Sequence, residues 1–307
     1  MCVKQAVYTS VRTGRNEGYQ LAARSPGISD QEARELMQWG PGHDSLYHDS
    51  PAETSINFHH MESGAYCVSQ TKLAGREYSG RGGRRVHTHM VLVPPQTLLR
   101  FANNPFRVMD ALIAAGRVES SEHLPARLEP VNLIGRASPV NTTNLKQVVR
   151  HTGPHALAAL VNAALNTPRL GLVSKISGQK LFRALLDLLP LSARPAFSLT
   201  TGLRVSATRA YRLVVLPSLA EEQRRAIRQV HLDVLDLDGD LPAKYAPKDG
   251  WPELVHYLLR TEQFERIVEV IKATSRSNEQ NTTILAEQQR QFLEHEADQA
   301  TISPFRT

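Results

Sequence analysis

The chemically best-equipped stretch runs from Glu77 to Val93, E-Y-S-G-R-G-G-R-R-V-H-T-H-M-V-L-V. Gly80, Gly82 and Gly83 open backbone angles closed to other residues. Arg81, Arg84 and Arg85 set guanidinium forks on that backbone, suited to holding a carboxylate or phosphate bidentately. His87 and His89 stand two apart, so a strand over 86–93 turns both imidazoles to one face. Arg81, Arg84, Arg85, His87 and His89 are therefore the expected anion- or partner-binding set. The same imidazoles raise a metal reading, with His59-His60 on a neighbouring expected strand. Zinc needs three or four ligands within reach, and the chain has neither H-E-x-x-H nor a cysteine pair, so no metal or cofactor is expected.

The remaining motifs narrow the chemistry further. Gly80-Arg81-Gly82-Gly83 precedes a strand, whereas a phosphate loop follows a strand and opens a helix. Ser177-Gly178-Gln179-Lys180 does lie between an expected strand and an expected helix, but it lacks the P-loop spacing and has Leu181 where Ser or Thr would hold magnesium. Its free N–H groups and Lys180 would suit an anion; the competing reading is a plain loop. Asp236-Leu-Asp238-Gly-Asp240 has glycine at the fourth place and Pro247 at the twelfth, which is not an EF-hand. No G-x-S-x-G elbow marks a nucleophile. The expectation is a protein that is not an enzyme.

These residues need elements to position them. V-K-Q-A-V-Y-T-S-V (3–11) and Y-Q-L-A-A-R (19–24) read as an opening hairpin, followed by a helix capped by Ser29 with Glu32 three residues on. Strands over 53–60 and 65–73 make a second hairpin around Glu62-Ser63-Gly64, and 86–93 extends the sheet until Pro94-Pro95 ends it. Helices over 96–102 and 105–115 cover one face. From 141 to 237 helices and strands alternate, with strands 196–205 and 211–216 expected as a hairpin over Ser206-Ala207-Thr208. From Trp251 the chain turns helical, and 273–307 is polar and Gln/Glu-rich. The expected class is α+β: an N-terminal α+β domain (1–130) with a mainly antiparallel sheet and covering helices, an α/β layered middle domain (131–240), and a helical C-terminal segment (241–307).

Charge is unevenly spread. The chain of 307 residues carries +6 overall, but residues 131–235 hold 14 basic and 4 acidic residues, whereas 236–307 hold 8 and 13. A basic middle suits nucleic acid, an acidic protein partner, or the acidic C-terminal segment folding back. No apolar run approaches the ~20 residues of a membrane span, and the start lacks the plan of a secretion signal, so a cytoplasmic protein with no membrane association is expected. Two cysteines, Cys2 and Cys67, are too few for a disulfide framework.

Four N-terminal stretches, Q-A-V-Y-T-S-V (5–11), G-Y-Q-L-A-A-R-S-P-G-I-S (18–29), W-G-P-G-H-D-S-L (39–46) and the 77–93 segment, together resemble the N-terminal domain, of the second type, of bacterial GTPase-associated proteins. S-L-T-T-G-L-R-V-S-A-T-R-A-Y-R-L-V-V-L (198–216) resembles the middle module of the same proteins. The resemblance implies a non-enzymatic partner or regulator of a GTPase in a multi-component bacterial system of the conflict or defence kind. It carries no catalytic residues over to this chain. The alternatives are a nucleic-acid-binding module acting through the basic middle region and, last, a hydrolase using His59, His60, His87 and His89.

Overall fold

A computed structural model of the chain describes residues 2–13, 16–47, 54–76, 84–118, 125, 127–274 and 290. The N-terminal part consists of strands β1 (Cys2–Thr13) and β2 (Asn16–Arg24), helix α1 (Asp30–Trp39), strands β3 (Thr54–His60), β4 (Tyr66–Arg76) and β5 (Arg84–Val93), helices α2 (Pro95–Arg100) and α3 (Pro105–Ala114), and the short strand β6 (Val131–Asn132). It is antiparallel throughout, in the order β3-β4-β5-β1-β2, as its alternating pattern requires. The expected capping box starts α1: Ser29 Oγ accepts from Glu32 N at 3.1 Å, and the Glu32 carboxylate accepts from Ser29 N at 2.8 Å. Glu32 also takes the Lys4 ammonium at 2.8 Å, which pins α1 to β1. Burial alone would raise the Glu32 carboxyl; Lys4 and the Ser29 donors outweigh it and hold the group below the usual carboxylate range.

The rest of the chain supplies α4 (Thr142–Thr152), α5 (Pro154–Asn166), β7 (Leu170–Val173), α6 (Gly178–Leu188), β8 (Leu199–Thr200), β9 (Leu213–Val215), α7 (Ala220–Val230), β10 (Asp233–Asp236), α8 (Gly250–Arg260) and α9 (Phe264–Ala273). Its strands do not build a separate sheet. They continue the N-terminal one in the order β10-β7-β9-β8-β3, parallel from β10 to β8 and antiparallel at the β8–β3 joint. One hydrophobic cluster runs along one sheet face from Val3 through Phe58 and Val91 to Ile271, covered by α2 to α6, α8 and α9. The other face is covered by α1 near Ala6 and Met90 and by α7 with the 203–216 segment near Val214.

The expected hairpin between 196–205 and 211–216 does not form. Leu199 and Thr200 pair with Leu213 and Val214 in parallel. Ser206 and Thr208 do make a local turn, with Thr208 N donating to Ser206 Oγ at 3.3 Å. The chain before it, however, is engaged elsewhere: Tyr47 N donates to Gly202 O at 3.0 Å and Arg204 N donates to Ser45 O at 2.7 Å. The β-branched residues fixed strand conformation but not strand direction. Residues 77–83, which include Gly80-Arg81-Gly82-Gly83, lie outside the described residues, as do 119–124, 126 and most of the polar 273–307 stretch.

Beneath the helical layer sits a buried ionic hub. Arg194, fully buried, donates to Leu189 O at 3.1 Å, Ala102 O at 3.0 Å and Pro139 O at 2.9 Å. Burial pushes its guanidinium down to about 10 despite the neighbouring Asp187 carboxylate. Asp187 accepts from Asn141 N at 2.8 Å, with Arg107 3.4 Å away. The hub ties the chain after α2 to the start of α4 and the end of α6. Replacing Arg194 with Met leaves the carbonyls of Leu189, Ala102, Pro139 and Asp187 without that donor and removes a neighbouring positive charge from the buried Asp187 carboxylate; it is expected to cost about 3–5 kcal/mol, read as a lower urea midpoint with an unchanged denaturant slope.

Candidate functional site

The sequence-picked cationic set is divided by the fold. Arg81 lies outside the described residues. Arg84 is exposed at the start of β5, where its N–H donates to Asp44 Oδ1 at 3.3 Å. Arg85 is half-buried, and its Nε donates to Ala74 O at 3.0 Å. His87 and His89 share one face, as their spacing requires, but both rings are buried. His89 Nε2 shares a hydrogen bond with Gln5 Oε1 at 2.7 Å, and burial, with His87 and Lys72 adding to it, pushes the ring down to about 4. His87 is lowered for the same first reason, with Lys72 and Arg85 adding to it. Both rings are thus held toward the neutral form, and the positive charge at this end rests on Arg84, Arg85 and Lys72.

His59 and His60 do not join that pair. β4 lies between β3 and β5, and the register places His59 opposite Cys67 and Leu92, on the face that His87 and His89 do not share. The neighbouring-strand arrangement behind the metal reading is therefore absent. Among the described residues no three His, Cys, Asp or Glu side chains are grouped to hold a metal ion. His59 instead stacks on Trp39, with ring centroids 4.0 Å apart and planes at 9°, beside a cleft of about 490 Å³ that also touches His60, Tyr66 and Ser198. Neither ring nitrogen has a hydrogen-bond partner, and burial, with the charge of His60, pushes the group down to about 3.

A second concavity was only half visible in the sequence. β7 passes through α6 to β8 on one side, and β9 passes through α7 to β10 on the other, with the two helices on opposite faces. The chain thus leaves adjacent parallel strands in opposite directions, which opens a crevice at their carboxyl ends. That crevice holds about 380 Å³ and is lined by Thr54, Ser174, Lys175, Ser177, Thr201 and Ser218 among others. The Ser177-Gly178 turn singled out from its motif lies here, although the lining lysine is Lys175 and not Lys180. Gly178 is required by close packing: a Cβ there would meet Val215 Cγ2 at 2.4 Å.

The fold and these sites define an α+β protein on one mixed sheet, with a cationic strand end and a polar crevice. Residues 2–130 match the family described as GTPase-associated protein 1, N-terminal domain type 2, and the resemblance carried by the four N-terminal stretches is borne out over that range. The middle-module resemblance of 198–216 lies beyond the matched residues. No curated protein matches the chain. Among the described residues no helix is long and apolar enough to cross a membrane.

The buried histidines set an acid limit on stability. Folded His59 resists protonation until about pH 3, whereas the unfolded ring takes its proton near 6.5. Between those values the unfolded chain binds more protons, so stability is intact above pH 6.5 and falls as pH drops through the window. Each such ring contributes a slope of about 1.4 kcal/mol per pH unit. His59→Phe, which keeps an aromatic ring on Trp39, is expected to flatten the fall between pH 6 and 4 by about that slope, measured by urea unfolding at a series of pH values.

Proposed function

We propose that this chain is a non-enzymatic adaptor or regulatory subunit that binds a GTPase within a multi-component bacterial system. The observation that carries the reading is the family match over residues 2–130. The docking surface is the cationic end of the sheet, where Arg84 is exposed and Arg85 sits beside it at the start of β5. Charged groups at an interface rim steer association and fix the partner's orientation, so an acidic patch on the GTPase is the complement expected here.

This reading is preferred to nucleic-acid binding because the basic middle region uses many of its cations internally. Arg183 pairs with Asp110 at 2.6 Å and Arg204 with Glu222 at 2.6 Å. Arg212 lies over the Phe197 ring at 4.3 Å and donates to Ala164 O at 2.8 Å, and Arg194 is fully buried in its hub. These side chains support packing and leave fewer cations for phosphate contacts.

The test is co-purification of the full chain with the GTPase encoded beside it, in the GDP- and GTP-bound states. Changing Arg81, Arg84 and Arg85 together to Glu is expected to weaken binding at least tenfold, about 1.4 kcal/mol, while the unfolding midpoint stays near that of the wild type. An adaptor leaves GTP turnover by the partner unchanged; acceleration abolished by the same triple change would instead make one of these residues an arginine finger. Absence of association in both nucleotide states would sink the proposal.

A further inference from the structure

The geometry points to a binding site for a small phosphorylated ligand in the crevice at the carboxyl ends of β7, β8 and β9, with the phosphate seated at the start of α6. Three independent features meet there. The first is topological: adjacent parallel strands whose connections leave to opposite faces open a crevice at their carboxyl ends, and in sheets of this kind ligands bind there. The second is size, since about 380 Å³ lies within the ~300–1,000 Å³ range of small-molecule sites. The third is the chemistry of the lining. Hydroxyls from Thr54, Ser174, Ser177 and Ser218 and the Gln179 amide surround one lysine, Lys175, and among the described residues no aspartate or glutamate lines the cavity.

Two helices begin at this crevice, and they differ in a way that locates the anion. The first turn of α7 already carries Glu221 and Glu222, and Glu222 is held by Arg204 at 2.6 Å. α6 has no acidic residue in its first turn and no side chain capping its free N–H groups. Its positive end therefore faces the cavity unanswered. The loop that brings Lys175 there is fixed through its backbone, with Lys175 N donating to Asp238 Oδ2 at 2.5 Å. That hydrogen bond occupies Asp238 and leaves the ammonium on an exposed side chain. A phosphate would take hydrogen bonds from the α6 N–H groups and nearby hydroxyls while Lys175 balances its charge, and the remaining volume would hold the group the phosphate is attached to.

The experiment uses the full chain, with sodium pyrophosphate and GDP as separate probes in isothermal titration and thermal unfolding. Saturable binding of GDP with a raised unfolding temperature supports a nucleotide-sized site. Binding of pyrophosphate alone supports a site for free phosphates. Binding of neither overturns the inference. Two variants locate the site without disturbing the core: Lys175→Glu reverses an exposed charge, and Ser177→Asp supplies the helix start with its own carboxylate, a favourable residue at that position. Each is expected to weaken binding at least tenfold, with Ser177→Asp unfolding at or above the wild-type temperature. Binding that persists unchanged in both folded variants overturns the assignment. The GTPase reading is tested at the opposite wing of the sheet, at Arg84 and Arg85, so the two can fail separately.

Discussion

The joint between β3 and β8 is the constraint on which the rest of the structure depends. There Asn57 pairs with Thr200 and Phe58 with Leu199, and the antiparallel N-terminal sheet becomes the parallel one. The side chain of Asn57 is buried, and all four of its hydrogen-bonding positions are used. Oδ1 accepts from Ser55 Oγ and Thr200 Oγ1, each at 2.7 Å, and Nδ2 donates to Ser69 Oγ and Thr71 Oγ1, each at 3.2 Å. Thr71 and Thr88 carry the network onto β5 at 3.0 Å. A buried amide satisfied this completely specifies one register, because a slip of one residue would turn Asn57 into the apolar layer now filled by Phe58 and bring Phe58 against the hydroxyls.

The joint is held on both faces by different means. On one face the hydroxyl network crosses it; on the other, Phe58 and Leu199 enter the apolar cluster that α6 shares, and near the end of α6 Asp187 lies by Arg194 and Arg107 and accepts from the start of α4. Burying that pair costs desolvation on each ion, so its value lies less in net stability than in the penalty on any arrangement that separates them. The N-terminal strands and the later helices therefore share one core, and the matched residues 2–130 are completed by residues far beyond them in sequence.

Much of this fold was legible in local chemistry. The capping box at Ser29, the turn at Met61–Ala65 and the Pro94-Pro95 stop after β5 each acted through near neighbours, and each stands close to its expected place. What was not legible depended on distant partners. Strands as short as β8 and β9 carry too few residues to state a direction, and the hairpin expectation failed there. Arg194 sits in a stretch that reads as an ordinary loop, and nothing local distinguishes a buried guanidinium from a solvated one. Asp187 did carry a signal, as the one acid in the apolar run L-L-D-L-L. His87 and His89 were placed on one face correctly, but the pattern could not say that this face is covered. The crevice was visible as a glycine at a strand-to-helix turn; Lys175 became meaningful only once the strands were ordered.

The strand order also places the two candidate sites on one end of the sheet. Thr54 lines the crevice and pairs with Lys72, which pairs with His87 three residues into β5. From β8 to β5 is three strand steps, roughly 15 Å at the usual inter-strand spacing. A single short segment spans that distance. Asp44 is bonded to Arg84 through Asp44 N to Arg84 O at 3.4 Å, while Tyr47, three residues later, lines the crevice and is anchored by its N–H on Gly202 O at 3.0 Å. The crevice and the exposed arginine therefore share one contact segment. Because that segment is also paired to 202–204 beside the Asn57 network, it rests on the most tightly specified part of the sheet, and both candidate sites are held by the same four residues of backbone.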